Sequence, residues 1–284
     1  MKPILLTVAG SRSNTLAHQL SHYAPMTSGA YIVIYQHENS NTQTCEEIRE
    51  IAKQYGAKIY AVRTHRPYDW EQVTRLYNEV KSQFFDNWWL VADDDELHVY
   101  WDEPQNIIKE CDSHGWKYVT GGFVDRIGLN GDFPKIEHDS NLWDLFPVAG
   151  FFRYPLSRAC PNKVALCRGS IQITNGQHYV HLDGKDLYGP KGWRHSWRYP
   201  IYKEFVQVHH FKWDDTVVDR IKAVADVNQI YSYSNEYKKM YEEIKGRNFK
   251  IDIENPQFYC QQMNKNDYWE YKFWKKLTNL ILHV

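Results

Sequence analysis

The first 95 residues show a regular succession of short apolar runs and amphipathic segments. The apolar runs are bounded by polar or small residues, as is typical of strands buried on both faces, and they cover residues 4–8, 30–35, 58–62 and 88–92. The segments between them, 15–23, 45–55 and 69–85, have the spacing of amphipathic helices. This alternation predicts an α/β fold with a parallel, doubly wound sheet, in which all four strands end at the same edge.

The remainder of the chain contains further strand patterns and then becomes helical. Strands are predicted at 116–120, 163–168 and 206–213, and helices at 217–227, 234–244 and 267–282. We therefore expect an α/β domain over residues 1–213 and a helical extension over 214–284 that packs on it. The last helix mixes aromatic residues with lysines, so it could instead lie on a membrane surface as a peripheral contact.

Composition excludes some classes of protein and leaves others open. A net charge of -1 over 284 residues argues against a nucleic-acid partner, which would require a basic face. Aromatic residues make up 15% of the chain, and their flat rings suit sugar faces as well as ordinary packing. Five scattered cysteines, with no apolar run of about 18 residues and no signal peptide, predict a soluble cytoplasmic protein without a transmembrane segment.

The most distinctive stretch places Asp93, Asp94, Asp95 and Glu96 directly behind the apolar run 88–92. In extended backbone, Asp93 and Asp95 would share a face and Asp94 would point away. Two converging carboxylates need a cation between them, and hard oxygen ligands suit Mn²⁺ or Mg²⁺, which can also bind the phosphates of a nucleotide. The alternative is an ordinary acidic turn in solvent, or the first turn of a helix.

Other residues at the ends of the predicted strands complete a plausible ligand crevice. Ala9 leaves room for a base, and His37 lies at the end of the second strand. Arg12 and Arg66 could bind phosphates. Neither GxGxxG nor GxxxxGK[ST] occurs, so any phosphate must be bound by metal and side chains.

Several motifs, in this order along the chain, resemble those of GT-A glycosyltransferases. They are Val91-Ala92-Asp93-Asp94-Asp95-Glu96-Leu97, Phe123-Val124-Asp125-Arg126, Gly176-Gln177-His178 and Val208-His209-His210-Phe211-Lys212-Trp213. The pattern is similar to the family-2-like enzymes of bacteria and of large DNA viruses, including chloroviruses, and it extends over roughly residues 1 to 215. The resemblance implies a GT-A-like mixed sheet and, for a viral protein, a location in the host cytoplasm.

The resemblance also implies a set of ligands. The donor would be a nucleotide-diphosphate sugar, with UDP preferred, and the acceptor a glycan or glycoprotein. Mn²⁺ or Mg²⁺ would be bound by Asp93, Asp95 and His210, with His209 as the alternative to His210. Asp93, Asp94 and His178 would contact the donor. An exposed histidine pair at a strand end is the plain alternative for His209 and His210.

Two carboxylates are candidates for the general base, and Asp125 ranks ahead of Asp144. In the family reading Asp125 lies beside the donor sugar, although an Asp-Arg pair can also be a surface ion pair. Asp144 is the rival, because its neighbours Trp143 and Phe146 would partly desolvate it and raise its basicity. A base opposite the leaving group would invert the anomeric configuration.

Segment 182–199 combines three glycines with four cations, Lys185, Lys191, Arg194 and Arg198. It could form a mobile lid over a diphosphate or an ordinary basic loop. Two other functions compete with the glycosyltransferase interpretation. The chain could be a nucleotidyltransferase, which also uses paired carboxylates and a metal, or a non-catalytic carbohydrate-binding protein.

Overall fold

Two units make up the part of the chain that the computed structural model describes, which is residues 1–10, 12–39, 42–66, 68–182, 184–187, 196–200, 204–226, 234–265 and 267. The first unit contains the described residues within 1–122 and 162–208, and the second contains those within 123–161 and 209–267. The second unit thus begins at residue 123, well before the domain boundary expected at 213.

The described helices and strands follow one another in a mixed order. The strands are β1 (Ile4–Ala9), β2 (Ala30–His37), β3 (Lys58–His65), β4 (Trp88–Val91), β5 (Glu96–Val99), β6 (Tyr118–Ile127), β7 (Val148–Gly150), β8 (Asn162–Arg168), β9 (Gln172–Ile173), β10 (Val180–Leu182), β11 (Lys185–Asp186), β12 (Val206–His210) and β13 (Gln261–Gln262). The helices are α1 (Leu16–Tyr23), α2 (Thr42–Gln54), α3 (Trp70–Ser82), α4 (Pro104–His114), α5 (Leu142–Leu145), α6 (Arg153–Ser157), α7 (Val217–Asp226) and α8 (Ser234–Lys245), with a 3-10 helix at Asn175–Gln177.

The first unit is built on a mixed sheet with the strand order β6-β8-β4-β1-β2-β3. Strands β4, β1, β2 and β3 are mutually parallel, as the strand-helix alternation predicts. Strand β8 runs antiparallel to both β4 and β6. The predicted α/β fold class with a mixed sheet is therefore confirmed, and β4 lies where the strand direction changes.

The centre of this sheet is apolar on both faces because β4 has no polar residue. All four of its side chains, from Trp88 to Val91, are buried. At the end of β1, Gly10 permits a close approach of two strands, since a Cβ there would lie 2.1 Å from the carbonyl oxygen of Tyr35. These features bring the carboxyl ends of β1, β2 and β4 together at one edge.

The second unit is smaller and combines a short antiparallel ladder with helices. The second half of β6 pairs antiparallel with β7, and β7 pairs antiparallel with β13. Helices α7 and α8 confirm the helices predicted at 217–227 and 234–244. The helix predicted at 267–282 lies outside the described residues, apart from Asp267.

No helix in the described ranges could cross a bilayer. The longest of them, α2 and α3, have 13 residues each. A membrane-spanning helix needs about 20 predominantly apolar residues.

Candidate functional site

The acidic stretch forms a tight turn between two strands. Strand β4 ends at Val91, the turn contains Asp94 and Asp95, and Glu96 begins β5. The amide of Glu96 donates a hydrogen bond to the carbonyl of Asp93 over 3.0 Å. The backbone of this stretch is therefore a turn and not the extended segment that the sequence prediction assumed.

A buried lysine from β8 lies against this turn. The Nζ of Lys163 lies 2.8 Å from Oδ2 of Asp93 and 2.7 Å from Oε1 of Glu96. It also donates a hydrogen bond to the side-chain oxygen of Gln177. Because β8 is antiparallel to β4, the start of β8 lies beside the end of β4, which explains how a residue 70 positions away meets Asp93.

Charge and burial act against each other in this cluster. Burial raises the pKa of Asp93 to about 6, opposed by the Lys163 ammonium and reinforced by the Glu96 carboxylate, although 34% of the Asp93 side chain is exposed. Burial alone would lower the pKa of Lys163, but the carboxylates of Asp93 and Glu96 outweigh it and raise that pKa above its ordinary value. Lys163 thus remains a cation and holds both carboxylates.

The other acid of the turn, Asp95, pairs with an arginine. The Nη2 of Arg12 lies 2.6 Å from Oδ2 of Asp95, and the two side chains are only 9% and 11% exposed. Arg12 follows the end of β1, so its position at the sheet edge agrees with the sequence prediction. Asp94, the remaining acid, is half-buried in the turn.

Two further side chains hold the backbone of the turn. The hydroxyl of Tyr77 accepts a hydrogen bond from the amide of Val8 over 3.2 Å and lies 3.0 Å from both the carbonyl of Ala92 and Oδ1 of Asp93. The amide group of Gln19 donates to the carbonyl of Asp93. Side chains of helices α1 and α3 therefore both support the turn.

The Gly-Gln-His motif contributes a residue that the sequence did not single out. Gly176 has a φ of 67°, and a Cβ there would meet the His178 ring, so the motif forms a sharp turn. This turn directs Gln177 onto Lys163. His178 instead contacts the carbonyl of Asn162, 2.7 Å from its Nδ1.

Three other predicted binding residues, Ala9, His37 and Arg66, lie at or just after the carboxyl ends of β1, β2 and β3. Ala9 is buried at the end of β1. His37 accepts a hydrogen bond from the amide of Asn39 over 3.1 Å. Arg66 pairs with Glu38 at 2.9 Å, and 73% of its side chain is exposed. A phosphate role for Arg66 stays a prediction.

In the second unit, Asp125 is buried and its carboxylate is surrounded by donors. Its Oδ2 accepts hydrogen bonds from the amides of Phe152 and Arg153, and its Oδ1 accepts one from the Trp213 indole. The Nδ1 of His210 lies 3.6 Å from the same Oδ1. Burial would raise the pKa of Asp125, but His210 and Arg153 lower it below its ordinary value. This setting suits a residue that orients His210.

Asp144, the rival base, is in a different environment. It lies in the short helix α5, where Leu142 and Trp143 are buried and Asp144 itself is exposed. Its Oδ2 accepts a hydrogen bond from the side chain of Asn141 over 2.7 Å. The expectation that Trp143 and Phe146 would partly desolvate Asp144 is wrong, because its side chain faces away from the buried residues.

Half of the predicted lid, including Lys191 and Arg194, lies outside the described residues. Arg198, at its end, is 3% exposed and donates to the hydroxyl of Thr120 over 2.9 Å. Burial lowers the pKa of Arg198 to about 9. Arg198 therefore supports the first unit from inside.

The acidic turn fits the kind of site that a hard divalent ion uses with substrate phosphates. In the described ranges no three His, Cys, Asp or Glu side chains are grouped to hold a metal ion. Mn²⁺ and Mg²⁺, however, are commonly bound through one or two carboxylates together with phosphates. Asp93 and Asp95 offer such carboxylates, and the guanidinium of Arg12 already marks a position where Asp95 holds a cation.

No protein-family model matches the chain, and no curated protein matches it. Among solved structures, Staphylococcus aureus TarS (residues 1–349) is similar at 12% identity and a TM-score of 0.35, over 90% of this chain and 74% of that one. A longer TarS structure gives 13% identity and a TM-score of 0.34, again over 90% of this chain but only 45% of TarS.

Two other proteins are similar over a shorter part of the chain. Mannose-6-phosphate isomerase from Helicobacter pylori has 12% identity and a TM-score of 0.32, over 60% of this chain and 72% of that one. UDP-glucose pyrophosphorylase complexed with UDP-glucose has 10% identity and a TM-score of 0.25, over 53% and 67%. At these identities and TM-scores, the activities of the similar proteins give no information about the activity of this chain.

Proposed function

We propose that this protein is a glycosyltransferase that moves a sugar from a nucleotide diphosphate, preferably UDP, to a hydroxyl of a glycan or glycoprotein. The observation that carries the proposal is the acidic turn behind β4, with Arg12 from the end of β1 paired to Asp95. Ligands of open α/β sheets bind outside the carboxyl ends of the strands, where strand direction or order changes. Carboxylates and a cation at that point suit a diphosphate.

The residues of the turn would divide the work. Asp93 and Asp95 would hold Mn²⁺ or Mg²⁺, and Asp94 and His178 would lie near the donor. The ion, when bound, would neutralise charge on the departing diphosphate. Lys163 keeps Asp93 and Glu96 in place through its two ion pairs. Arg12 provides a second positive charge for the phosphates.

The acceptor hydroxyl needs a base within hydrogen-bonding reach. Asp144 is exposed and so could approach an acceptor, whereas the Asp125 carboxylate is buried and receives three hydrogen bonds. We therefore favour Asp144 as the base and Asp125 as the residue that orients His210. Attack opposite the diphosphate inverts the configuration at the anomeric carbon. An NMR assignment of the anomeric proton that shows retained configuration in the product would contradict this.

Thermal unfolding with a ligand panel tests the proposal. The protein and its Asp95→Asn variant are heated with Mn²⁺ and with each nucleoside diphosphate and its sugar. A ligand at about 100 times its dissociation constant should stabilise the native state by roughly 2.7 kcal/mol, which is seen as a higher melting temperature. We expect one nucleotide to stabilise the wild type only, and only with metal.

Other outcomes would favour the competing functions. Release of pyrophosphate from a nucleoside triphosphate and a sugar phosphate would identify a nucleotidyltransferase. Glycan binding that Asp95→Asn leaves intact, with no nucleotide effect, would identify a carbohydrate-binding protein. No stabilisation by any nucleotide would mean that the acidic turn has a structural role only.

A further inference from the structure

We propose that Arg12 and a divalent cation compete for the carboxylate of Asp95, so that metal binding releases Arg12 to the donor diphosphate. The inference rests on the proposed function, because it concerns the order in which that site takes its ligands. It assigns to Arg12 two successive partners. One is the carboxylate seen in the structure, and the other is a phosphate group of the nucleotide.

The contact itself is strong and local. The Nη2 of Arg12 lies 2.6 Å from Oδ2 of Asp95, and about nine-tenths of each side chain is shielded from solvent. A guanidinium and a divalent ion on one carboxylate repel each other, and the low solvent exposure of the two side chains leaves that repulsion weakly screened. We therefore expect metal on Asp95 and Arg12 on Asp95 to be alternative states.

The two cations of the cluster differ in how readily they can leave. Lys163 is fully buried and lies in β8, a strand with a neighbour on each side. Its side chain contacts Asp93, Glu96 and Gln177. Arg12 follows β1 in a loop, and its side chain is long. Displacing Lys163 would remove the cation that lies 2.7 Å from the buried Glu96 carboxylate, and breaking a buried ion pair from one side is strongly destabilising. Arg12 is thus the cation that can exchange.

An arginine that exchanges between Asp95 and a phosphate affects binding differently from an arginine that only binds the phosphate. While Arg12 pairs with Asp95, it weakens the binding of a metal ion alone. Once a nucleoside diphosphate arrives with the metal, the released guanidinium gains new acceptor oxygens. Removing Arg12 should therefore strengthen metal binding and weaken nucleotide binding, which are effects of opposite sign.

The experiment measures free Mn²⁺ by electron paramagnetic resonance during titration of wild type, Arg12→Met and Arg12→Gln. If the Arg12 contact is worth about as much as a charge-assisted hydrogen bond, its loss should tighten Mn²⁺ binding about tenfold. UDP affinity at saturating Mn²⁺, measured calorimetrically, should fall by about the same factor. Circular dichroism establishes that each variant is folded, and the glutamine variant serves if the methionine variant is not.

Matched controls locate the effect. Arg75→Met removes a more exposed arginine-carboxylate pair, in which Arg75 lies 3.1 Å from Asp69, and should change neither affinity. Arg12→Met/Asp95→Asn should bind Mn²⁺ no more tightly than Asp95→Asn alone, because the carboxylate for which Arg12 and the metal compete is absent from both.

Three results would overturn the competition: unchanged or weaker Mn²⁺ binding in both Arg12 variants, a gain that persists without Asp95, or no Mn²⁺ binding by any variant. Failure of the proposed function looks different. In that case UDP fails to bind the wild type with Mn²⁺ present, while the Mn²⁺ titrations still decide whether Arg12 competes.

Discussion

Lys163 and Glu96 form an ion pair that is closed to solvent, with Nζ 2.7 Å from Oε1 and side chains that are 1% and 0% exposed. In Lys163→Met, Glu96 would keep a buried charge without its cation. We expect the free energy of unfolding to fall by about 3–5 kcal/mol, the usual cost of breaking a buried pair from one side. Urea denaturation followed by fluorescence measures this change.

The control for this prediction is Lys250→Met. Lys250 pairs with Asp132 at 2.7 Å, but 54% of its side chain is exposed. Exposed pairs contribute little, so the urea midpoint should stay where it is. Equal losses in the two variants would show that burial of the Lys163 pair has no special importance.

Tyr77→Phe tests the support beneath the acidic turn. The variant keeps the ring but removes the acceptor for the Val8 amide and a donor near Ala92 and Asp93. Because an amide left unpaired in the core costs its desolvation, stability should fall by about 1–3 kcal/mol. Tyr60→Phe, on an exposed hydroxyl, should stay within about 0.5 kcal/mol of wild type in the same urea assay.

Gly10→Ala tests the close approach of β1 and β2. The added methyl group would lie 2.1 Å from the carbonyl oxygen of Tyr35, so the strands must move apart. Overpacking of this kind costs about 1–3 kcal/mol or more. Gly29→Ala is the matched control, since a Cβ there meets nothing within 4 Å. A melting temperature as low in the control as in Gly10→Ala would contradict this account.

Asp125→Asn and Asp144→Asn should separate a structural carboxylate from a catalytic one. Asp125→Asn replaces an acceptor of several buried hydrogen bonds, so it should lower stability by about 1.5–3 kcal/mol. Asp144→Asn should leave the melting temperature unchanged, since the side chain is exposed, while abolishing transfer if Asp144 is the base. Full transfer activity in the folded Asp144→Asn variant would remove Asp144 from the mechanism.

Cys260 should be a poorly reactive thiol despite its partial exposure. Burial, together with Asp125 and two further acids, raises the pKa of Cys260 to about 12. The thiolate is the reactive form, so alkylation by iodoacetamide at pH 8 should be slow in the native protein and should accelerate as the pH rises. In urea, where the pKa returns to about 8.5, the reaction should be fast. Mass spectrometry of the Cys260 peptide measures the alkylation rate in the native protein and in urea. Equal rates under the two conditions at pH 8 would contradict the raised pKa.

The parallel part of the fold is predictable because its signals are local. Each buried strand is a short apolar run, and helices α7 and α8 carry clear helical spacing. The position of Arg12 beside the acids also follows, because parallel strands end at one edge. For these elements, the residues adjacent along the chain are sufficient to predict the local structure.

The residues that complete the site depend on contacts distant in sequence. Lys163 is one charged residue in an apolar strand pattern, and only the antiparallel pairing of β8 with β4 places it on Asp93. A charge in such a strand could have prompted a search for a buried carboxylate partner. Gln177 reaches Lys163 only because the chain makes a left-handed turn at Gly176.

The origin of the two cations on the acidic turn bears on how the protein is made. Arg12 precedes Asp95 by 83 residues, whereas Lys163 follows Asp93 by 70. A ribosome therefore delivers Arg12 and the acids well before Lys163. Until β8 has emerged and joined the sheet beside β4, Asp93 and Glu96 lack Lys163, their shared counter-ion. We expect both carboxylates to stay hydrated until then, because burying an uncompensated charge is unfavourable. Completion of the acidic turn thus requires synthesis to pass residue 163, and a nascent chain that stops before this residue contains its acids without the lysine that lets them be buried.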